Sequence, residues 1–238
     1  MSDKRAVILA GGKGTRLKPY TAVLPKPLVP VGDVPVLEII IRQLRENGFS
    51  HITIAVNHLA EIIKAFFGDG SKWGLRIDYS LEPKPLNTMG PLKLIPDLPE
   101  NFLVMNGDVL TDLNYAELYE AHVAEKNLFT ISAYHRQQKV DFGVLDIGSD
   151  GRLSGFREKP AYEYMVSMGV YMLSRRVLDA IPEDTSYGFD ELMLELIKRG
   201  TPASAKPFKG YWLDIGRPED YEKACSEFER FLGKSTTL

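Results

Sequence analysis

Ala6-Val7-Ile8-Leu9-Ala10-Gly11-Gly12-Lys13-Gly14-Thr15-Arg16-Leu17 joins an uninterrupted apolar run to three glycines within four residues. An apolar run without polar alternation reads as a strand buried on both faces. Glycines at its end permit positive φ and let backbone approach a ligand closely. A loop of this kind turns its N–H groups outward as a cradle for an anion. Lys13, Arg16, Lys18 and Lys26 add positive charge in and just after the loop. Strand, glycine loop and cations together imply a polyphosphate site.

The common phosphate motifs do not account for it. The dinucleotide fingerprint G-x-G-x-x-G fails, because Gly12-Lys13-Gly14 is followed by Thr15, Arg16 and Leu17. No G-x-x-x-x-G-K-[ST] string occurs either. A lone Gly-Gly-x-Gly could be a tight turn and nothing more. The adjoining Thr15-Arg16 and Pro25-Lys26-Pro27 tip the reading toward function.

Outward from this stretch, apolar runs and helical faces alternate. Residues 35–47 place Val36, Leu37, Ile39, Ile40, Ile41 and Leu44 on a helical face that ends near Gly48. Residues 52–56 read as a strand, 60–67 as a helix stopped at Gly68, 75–80 as a strand, 88–95 as a helix closing at Pro96, and 102–105 as a buried strand. Such alternation predicts an α/β fold, a Rossmann-like, mostly parallel sheet flanked by helices on both faces. Ligands of such sheets lie outside the carboxyl ends of the strands, where the glycine loop and Asp108 should both open.

The second half changes character. Residues 129–135, 143–147 and 166–173 read as strands, with Gly148-Ser149-Asp150-Gly151 as a hairpin turn. These antiparallel pieces should extend the sheet and cover an acceptor. Helices are expected at 189–199 and 219–232, with a frayed tail at 233–238.

Composition narrows the class. A chain of 238 residues with 44% apolar content suits one substantial globular domain. A net charge of −3 gives no general field for nucleic acid, so the cations must act locally. The single cysteine, Cys225, precludes an internal disulfide and is expected to be a small packed residue. His51, His58, His122 and His135 lack metal-ligand spacing and are expected at the surface. Tyr221, Phe228 and Phe231 are expected to pack. Residues 1–5 are polar and lead into the first strand, no signal peptide or membrane-spanning run is evident, and the cytoplasm is the expected compartment.

Gly11-Gly12-Lys13-Gly14-Thr15-Arg16-Leu17, then Lys26-Pro27 and Pro30, resembles the signature of the sugar-1-phosphate nucleotidylyltransferases. Later motifs follow in order, so the resemblance covers nearly the whole chain. It implies the nucleotide-diphospho-sugar transferase fold with an antiparallel sugar-binding extension. It also implies one domain over 1–238: a nucleotide core to about residue 128, a sugar-binding part to about 218, then a helix and tail. The implied reaction joins an NTP to a sugar 1-phosphate, giving an NDP-sugar and pyrophosphate.

The resemblance assigns roles residue by residue. Arg16 would steady the leaving pyrophosphate, where a planar fork suits phosphate. Lys26, aimed by its flanking prolines, would serve the α-phosphate and the incoming sugar phosphate. Asp108 and Asp214, in Asn106-Gly107-Asp108 and Tyr211-Trp212-Leu213-Asp214-Ile215-Gly216, would hold Mg²⁺, which favours one or two carboxylates plus phosphates and water. Alone, each aspartate could equally be a turn or cap residue. Leu9, Ala10, Gly11, Gly12, Gly14, Thr15, Glu82, Thr88, Gly90, Asn106 and Gly107 would surround the nucleotide.

Residues 82–90 resemble the family's Leu-Gly-Thr-Ala-Gly segment, with Asn87 in place of its first glycine and Met89 in place of alanine. Asn tolerates the left-handed conformation, so the turn should survive. Met89 is larger and puts the fit to the base in question. Glu82, an acceptor only, suits the adjacent N1–H and amino donors of guanine. Gly143, Glu158, Lys159, Ser167 and Gly169 match the acceptor segments and would bind the sugar phosphate. The favoured reading is therefore GTP with a mannose- or heptose-like 1-phosphate. Alternatives are a glucose-1-phosphate thymidylyl- or uridylyltransferase, or a non-catalytic NDP-sugar-binding regulator. Neither nucleic acid nor membrane is expected as a partner, and a homo-oligomer is left open.

Overall fold

The computed structural model describes residues 4–57 and 59–227. Strands β1 (Lys4–Leu9), β2 (Pro30–Val31) and β3 (Val34–Pro35) precede helix α1 (Val36–Glu46), strand β4 (Phe49–Val56) and helix α2 (Ala60–Phe67). Strands β5 (Arg76–Leu81), β6 (Asn101–Asn106) and β7 (Val109–Thr111) lead to helix α3 (Tyr115–Ala124). Next come β8 (Phe129–Lys139), β9 (Val144–Ile147), β10 (Leu153–Arg157) and β11 (Ala161–Ser174). Helix α4 (Phe189–Lys198), strands β12 (Ser204–Phe208) and β13 (Trp212–Asp214) and helix α5 (Pro218–Glu227) complete the described chain.

The main sheet has the order β12-β8-β11-β6-β1-β4-β5. β1 is parallel to β4 and β6, and β4 is parallel to β5. β11 is antiparallel to both β6 and β8, while β12 is parallel to β8, so β11 alone runs against the rest. The mostly parallel sheet thus continues through β11 into β8, whereas β9, expected to extend it, pairs only with β10 in a separate two-stranded sheet.

Side-chain alternation sends the strands into two cores. Ala6, Ile8, Leu103, Met105, Val170 and Met172 pack with apolar residues of α1, α2, α3 and α5. Val7, Phe102, Val104, Tyr171 and Leu173 pack on the other face, with α4 and the segments around Leu92 and Val177. Burying each such Leu, Ile or Phe is worth about 1.5–3 kcal/mol, so the central strands anchor whatever their carboxyl ends carry. Local caps agree with the tertiary arrangement: the Asn114 side chain accepts from the Glu117 N–H at 3.0 Å, and Glu191 accepts from the Gly188 N–H at 2.6 Å.

Several expectations are corrected. Residues 88–95 do not form an α-helix; only Gly90–Leu94 turns, as 3₁₀ helix. Pro91 lacks an N–H, and the Met89 and Gly90 amides are spent on the Tyr187 carbonyl at 2.9 and 3.0 Å. His51 and His122 are buried rather than superficial. His51 meets Asp78 at 2.7 Å, and His122 meets the Thr130 hydroxyl at 2.8 Å. Cys225 is exposed, because Ala224 is the α5 residue turned into the core. Tyr221 does pack, against the ring of Tyr20. His58, Phe228, Phe231, residues 1–3 and the tail 233–238 lie outside the described residues. Among the described residues, no helix is long and apolar enough to cross a membrane.

Candidate active site

The site starts where β1 ends. The Ala10 N–H donates to the Ala55 carbonyl at 2.8 Å, and the Gly107 N–H donates to the Leu9 carbonyl at 3.0 Å. These bonds hold the carboxyl ends of β1, β4 and β6 level. From that edge the glycine loop departs. Gly14 has φ +60, and a Cβ there would lie 2.9 Å from Thr21 Cγ2 and 3.1 Å from Lys26 Cβ. The Thr21 hydroxyl donates to the Gly14 carbonyl at 2.7 Å, closing the loop beside the Lys26 side chain. Glycine is required here on two counts, conformation and space. Gly12 is exposed with open space around it, so its backbone can meet a ligand. Leu17, fully buried, anchors the turn that presents Arg16 to solvent.

Beside the loop, Lys26 Nζ forms an ion pair with Asp108 Oδ2. Asp108 follows β6, and its carbonyl accepts from the Ile215 N–H at 3.0 Å. β13 pairs with β7 in antiparallel register, setting Asp214 opposite Val109, the residue after Asp108. The two aspartates, 106 positions apart in sequence, therefore meet at one place. Burial raises the Asp214 carboxyl above the usual aspartate range, and the neighbouring Asp108 raises it further, while Lys26 and Arg16 oppose the shift. Arg16 also reaches this corner: a Cβ on Gly216 would stand 3.7 Å from its Nη1 and 3.5 Å from Asp214 Oδ2.

This donor set fits a divalent cation that arrives with phosphate. Asp108 Oδ1 is buried with no hydrogen-bond partner among the described residues. A nearby second carboxylate, itself strained toward protonation, supplies another hard oxygen. Among the described residues no group of three or more His, Cys, Asp or Glu side chains could hold a metal ion. Two carboxylates with the remaining positions left to phosphate and water is the pattern magnesium uses.

A cleft of about 430 Å³ opens beside the glycine loop and reaches Lys26 and Asp108, while Arg16 and Asp214 lie outside its lining. Of the residues anticipated around a nucleotide, Leu9, Ala10, Gly11, Gly12, Glu82, Thr88, Asn106 and Gly107 line it, together with Lys26 and Asp108. Glu82 is buried on its floor, where Oε2 accepts from the Leu86 N–H at 3.2 Å. A Cβ on Gly11 would stand 2.4 Å from Glu82 Oε1, so glycine leaves room for that carboxylate. Burial raises the Glu82 carboxyl, opposed by the Leu86 bond.

Gly14, Thr15 and Gly90 do not line the cleft. Gly14 shapes the loop, and Gly90 lies under the Thr185 carbonyl, 2.7 Å from where a Cβ would be. Thr88 is already engaged, its hydroxyl accepting from the Phe189 N–H at 2.8 Å. Asn87 takes φ +66, so the turn keeps the conformation that glycine would adopt. Met89 points into the second core, fully buried, and does not crowd the cleft. Asn57 and Pro85 line it without having been singled out. Asn57 follows the last residue of β4, a position that the carboxyl-end rule would have found.

The acceptor positions fall into two groups. Within β11 the register with β8 shifts between Ser167 and Tyr171, and Gly169 has φ +72. That irregularity turns Gly169 onto Asn106, whose Nδ2 would be 2.6 Å from a Cβ at Gly169. The Ser167 hydroxyl meets the Tyr171 hydroxyl at 3.0 Å and accepts from the Gly169 N–H at 3.3 Å. Gly143 and Glu158 face each other at the root of the β9–β10 hairpin, with Glu158 Oε2 3.3 Å from a Gly143 Cβ position. Glu158 and Lys159 are exposed and do not line the cleft.

A model of the nucleotidyl transferase family matches residues 5–230. The UTP–glucose-1-phosphate uridylyltransferase of Synechocystis is 35% identical over 240 residues, covering 92% of this chain and 62% of that protein. A probable mannose-1-phosphate guanylyltransferase of Oryza sativa is 34% identical, covering 91% of this chain and 62% of that protein. The chain thus spans somewhat less than two thirds of the length of these relatives. The crystal structure of HddC from Yersinia pseudotuberculosis superposes with a TM-score of 0.73 at 32% identity, covering 94% of this chain and 99% of that one. A second HddC structure, complexed with GMP-PN, superposes with a TM-score of 0.71 at 30% identity over the same shares.

Proposed function

The chain belongs to the nucleotidyl transferase family, and we propose that it transfers a nucleotidyl group from an NTP to a sugar 1-phosphate. The observation that carries this reading is the meeting of Asp108, Asp214, Lys26 and Arg16 at the open edge of the glycine loop. In the reaction, a phosphate oxygen of the sugar 1-phosphate forms a bond to the α-phosphorus. The bond from that phosphorus to the αβ-bridging oxygen breaks, and pyrophosphate leaves with the electron pair.

Such a reaction needs positioning and charge neutralisation rather than a covalent intermediate. The loop amides hold the β- and γ-phosphates, Arg16 steadies the departing pyrophosphate, and Lys26 exchanges its bond to Asp108 for the α-phosphate and the acceptor. Asp108 and Asp214 would hold Mg²⁺, which supplies positive charge between phosphate groups that otherwise repel. Gly143, Glu158, Lys159, Ser167 and Gly169 serve the sugar phosphate, Gly169 standing directly behind Asn106 of the cleft lining. Drawing on NTPs, the enzyme works in the cytoplasm.

GTP is the favoured donor, with a mannose- or heptose-like 1-phosphate as acceptor. Glu82, an acceptor-only group on the cleft floor, supports guanine. The guanylyltransferase relatives and the HddC complex with GMP-PN lend the same support. The 35% identity to a uridylyltransferase keeps UTP with glucose 1-phosphate as the second reading. Pyrophosphate release measured across four NTPs and a set of sugar 1-phosphates, with Mg²⁺, tests both. Highest kcat/KM for GTP with a manno-configured phosphate is expected. A preference for UTP with glucose 1-phosphate would install the second reading, and no turnover with any pair would indicate a non-catalytic NDP-sugar binder.

A further inference from the structure

We propose that the β9–β10 hairpin is a self-association surface, joining two copies of this chain about a twofold axis. The hairpin is a separate two-stranded sheet rather than part of the main one. Its register pairs Leu145 with Phe156 and Ile147 with Leu153. A register shift between Leu153 and Gly155 brings Leu153 and Phe156, three positions apart, to the side of their partners Ile147 and Leu145, and each of the four keeps between 55% and 64% of its surface exposed. Phe142, beside the root, is 78% exposed. The opposite side is polar, with Arg157 Nη2 bonded to Asp146 Oδ1 at 2.9 Å and the Ser154 hydroxyl donating to the Asp146 carbonyl at 2.9 Å. The ribbon is therefore amphipathic, and its apolar side faces water.

An isolated two-stranded ribbon is marginal in water, and a contiguous apolar patch of several hundred Å² marks an interaction site. The four side chains expose roughly 450 Å² per copy, so a symmetric pair buries about 900 Å², near the size at which a specific interface begins. A second copy fits this face for two reasons. The face is apolar at every position, so a twofold axis sets like against like with no buried charge, the self-complementarity that an isologous interface requires. Residues 139–159 carry four acidic and four basic side chains, giving neither repulsion between copies nor attraction to an anionic membrane or nucleic acid. Because Gly143 and Glu158 form the hairpin root, pairing also steadies the residues assigned to the acceptor, although the surface itself does not depend on that assignment.

Light scattering of the full chain from submicromolar to high micromolar concentration tests the proposal. The wild type should approach twice the monomer mass of 26.7 kDa as concentration rises. The double variant Leu145→Lys/Leu153→Lys should stay monomeric, its self-association weakened at least about 100-fold (a larger Kd), with an unchanged circular dichroism spectrum. Mixing it with Leu145→Glu/Leu153→Glu should restore pairing that neither variant achieves alone. A wild type that remains monomeric throughout overturns the proposal. So does a dimer that the lysine variant leaves intact, since the contact would then lie elsewhere. Sedimentation of a monomeric wild type with neutral phosphatidylcholine vesicles would overturn it in favour of a lipid surface.

Discussion

Asp214 sits under opposing demands. It is buried beside Asp108, which pushes its carboxyl up, while Lys26 and Arg16 pull it down only in part. A carboxyl whose folded pKa exceeds its unfolded value binds its proton more tightly in the folded state, so it destabilises the ligand-free protein at neutral pH. That penalty shrinks as pH falls through the folded value. Asp214→Asn should accordingly raise the Tm of the ligand-free protein at pH 7, and the gain should diminish toward acid pH, while turnover collapses. An unchanged or lowered Tm at pH 7 would mean that the site is not strained. Lys26 is the complementary case, restrained by Pro25 and Pro27 and paired with Asp108. Removing its charge should cost roughly 10²–10³ in kcat and also raise KM for the sugar phosphate, the range typical of a lost charge-stabilising group. Near-wild-type turnover in folded Lys26→Ala would remove the lysine from the mechanism.

At the scale of elements, α3 is fastened to β8 through His122, buried against the Thr130 hydroxyl. Burial lowers its pKa to about 4, with Glu125 opposing. The unfolded chain takes up a proton near the ordinary histidine value while the folded chain refuses it. Stability should therefore be lost as pH falls from about 6.5 toward 4, on the order of 3 kcal/mol at most from this group. Urea midpoints across that range should fall in the wild type and fall less in His122→Gln, once each is referred to its own value at pH 7.5. Equal acid sensitivity in both proteins would place the linkage elsewhere. Legibility divides along the same lines. β1 and the glycine loop, α1, α2 and α4 were readable because their signals are local: apolar periodicity and glycine stops. The burial of His51 and His122 was not, because it depends on partners 27 and 8 positions away. Likewise, the helix expected at 88–95 fails through a distant carbonyl, that of Tyr187.

At the scale of the whole molecule, the sheet explains why a cleft forms where it does. β1, β4 and β6 run parallel and release Ala10, Asn57 and Gly107 at one edge, and β11 enters from the other direction to bring Gly169 against Asn106. The placement of β11 between β6 and β8, and the pairing of β13 with β7, are long-range choices that no local pattern announces. Yet the pairing of β13 with β7 is what carries Asp214 to Asp108. The central claim is that these two carboxylates act as one unit, and a mutant cycle in Mg²⁺-dependent pyrophosphate release tests it most directly. Asp108→Asn and Asp214→Asn should each abolish most of the turnover, and the double variant should be little worse than the worse single one, because groups acting through one centre are not additive. Losses that multiply in the double variant, or either single variant turning over at the wild-type rate, would contradict it.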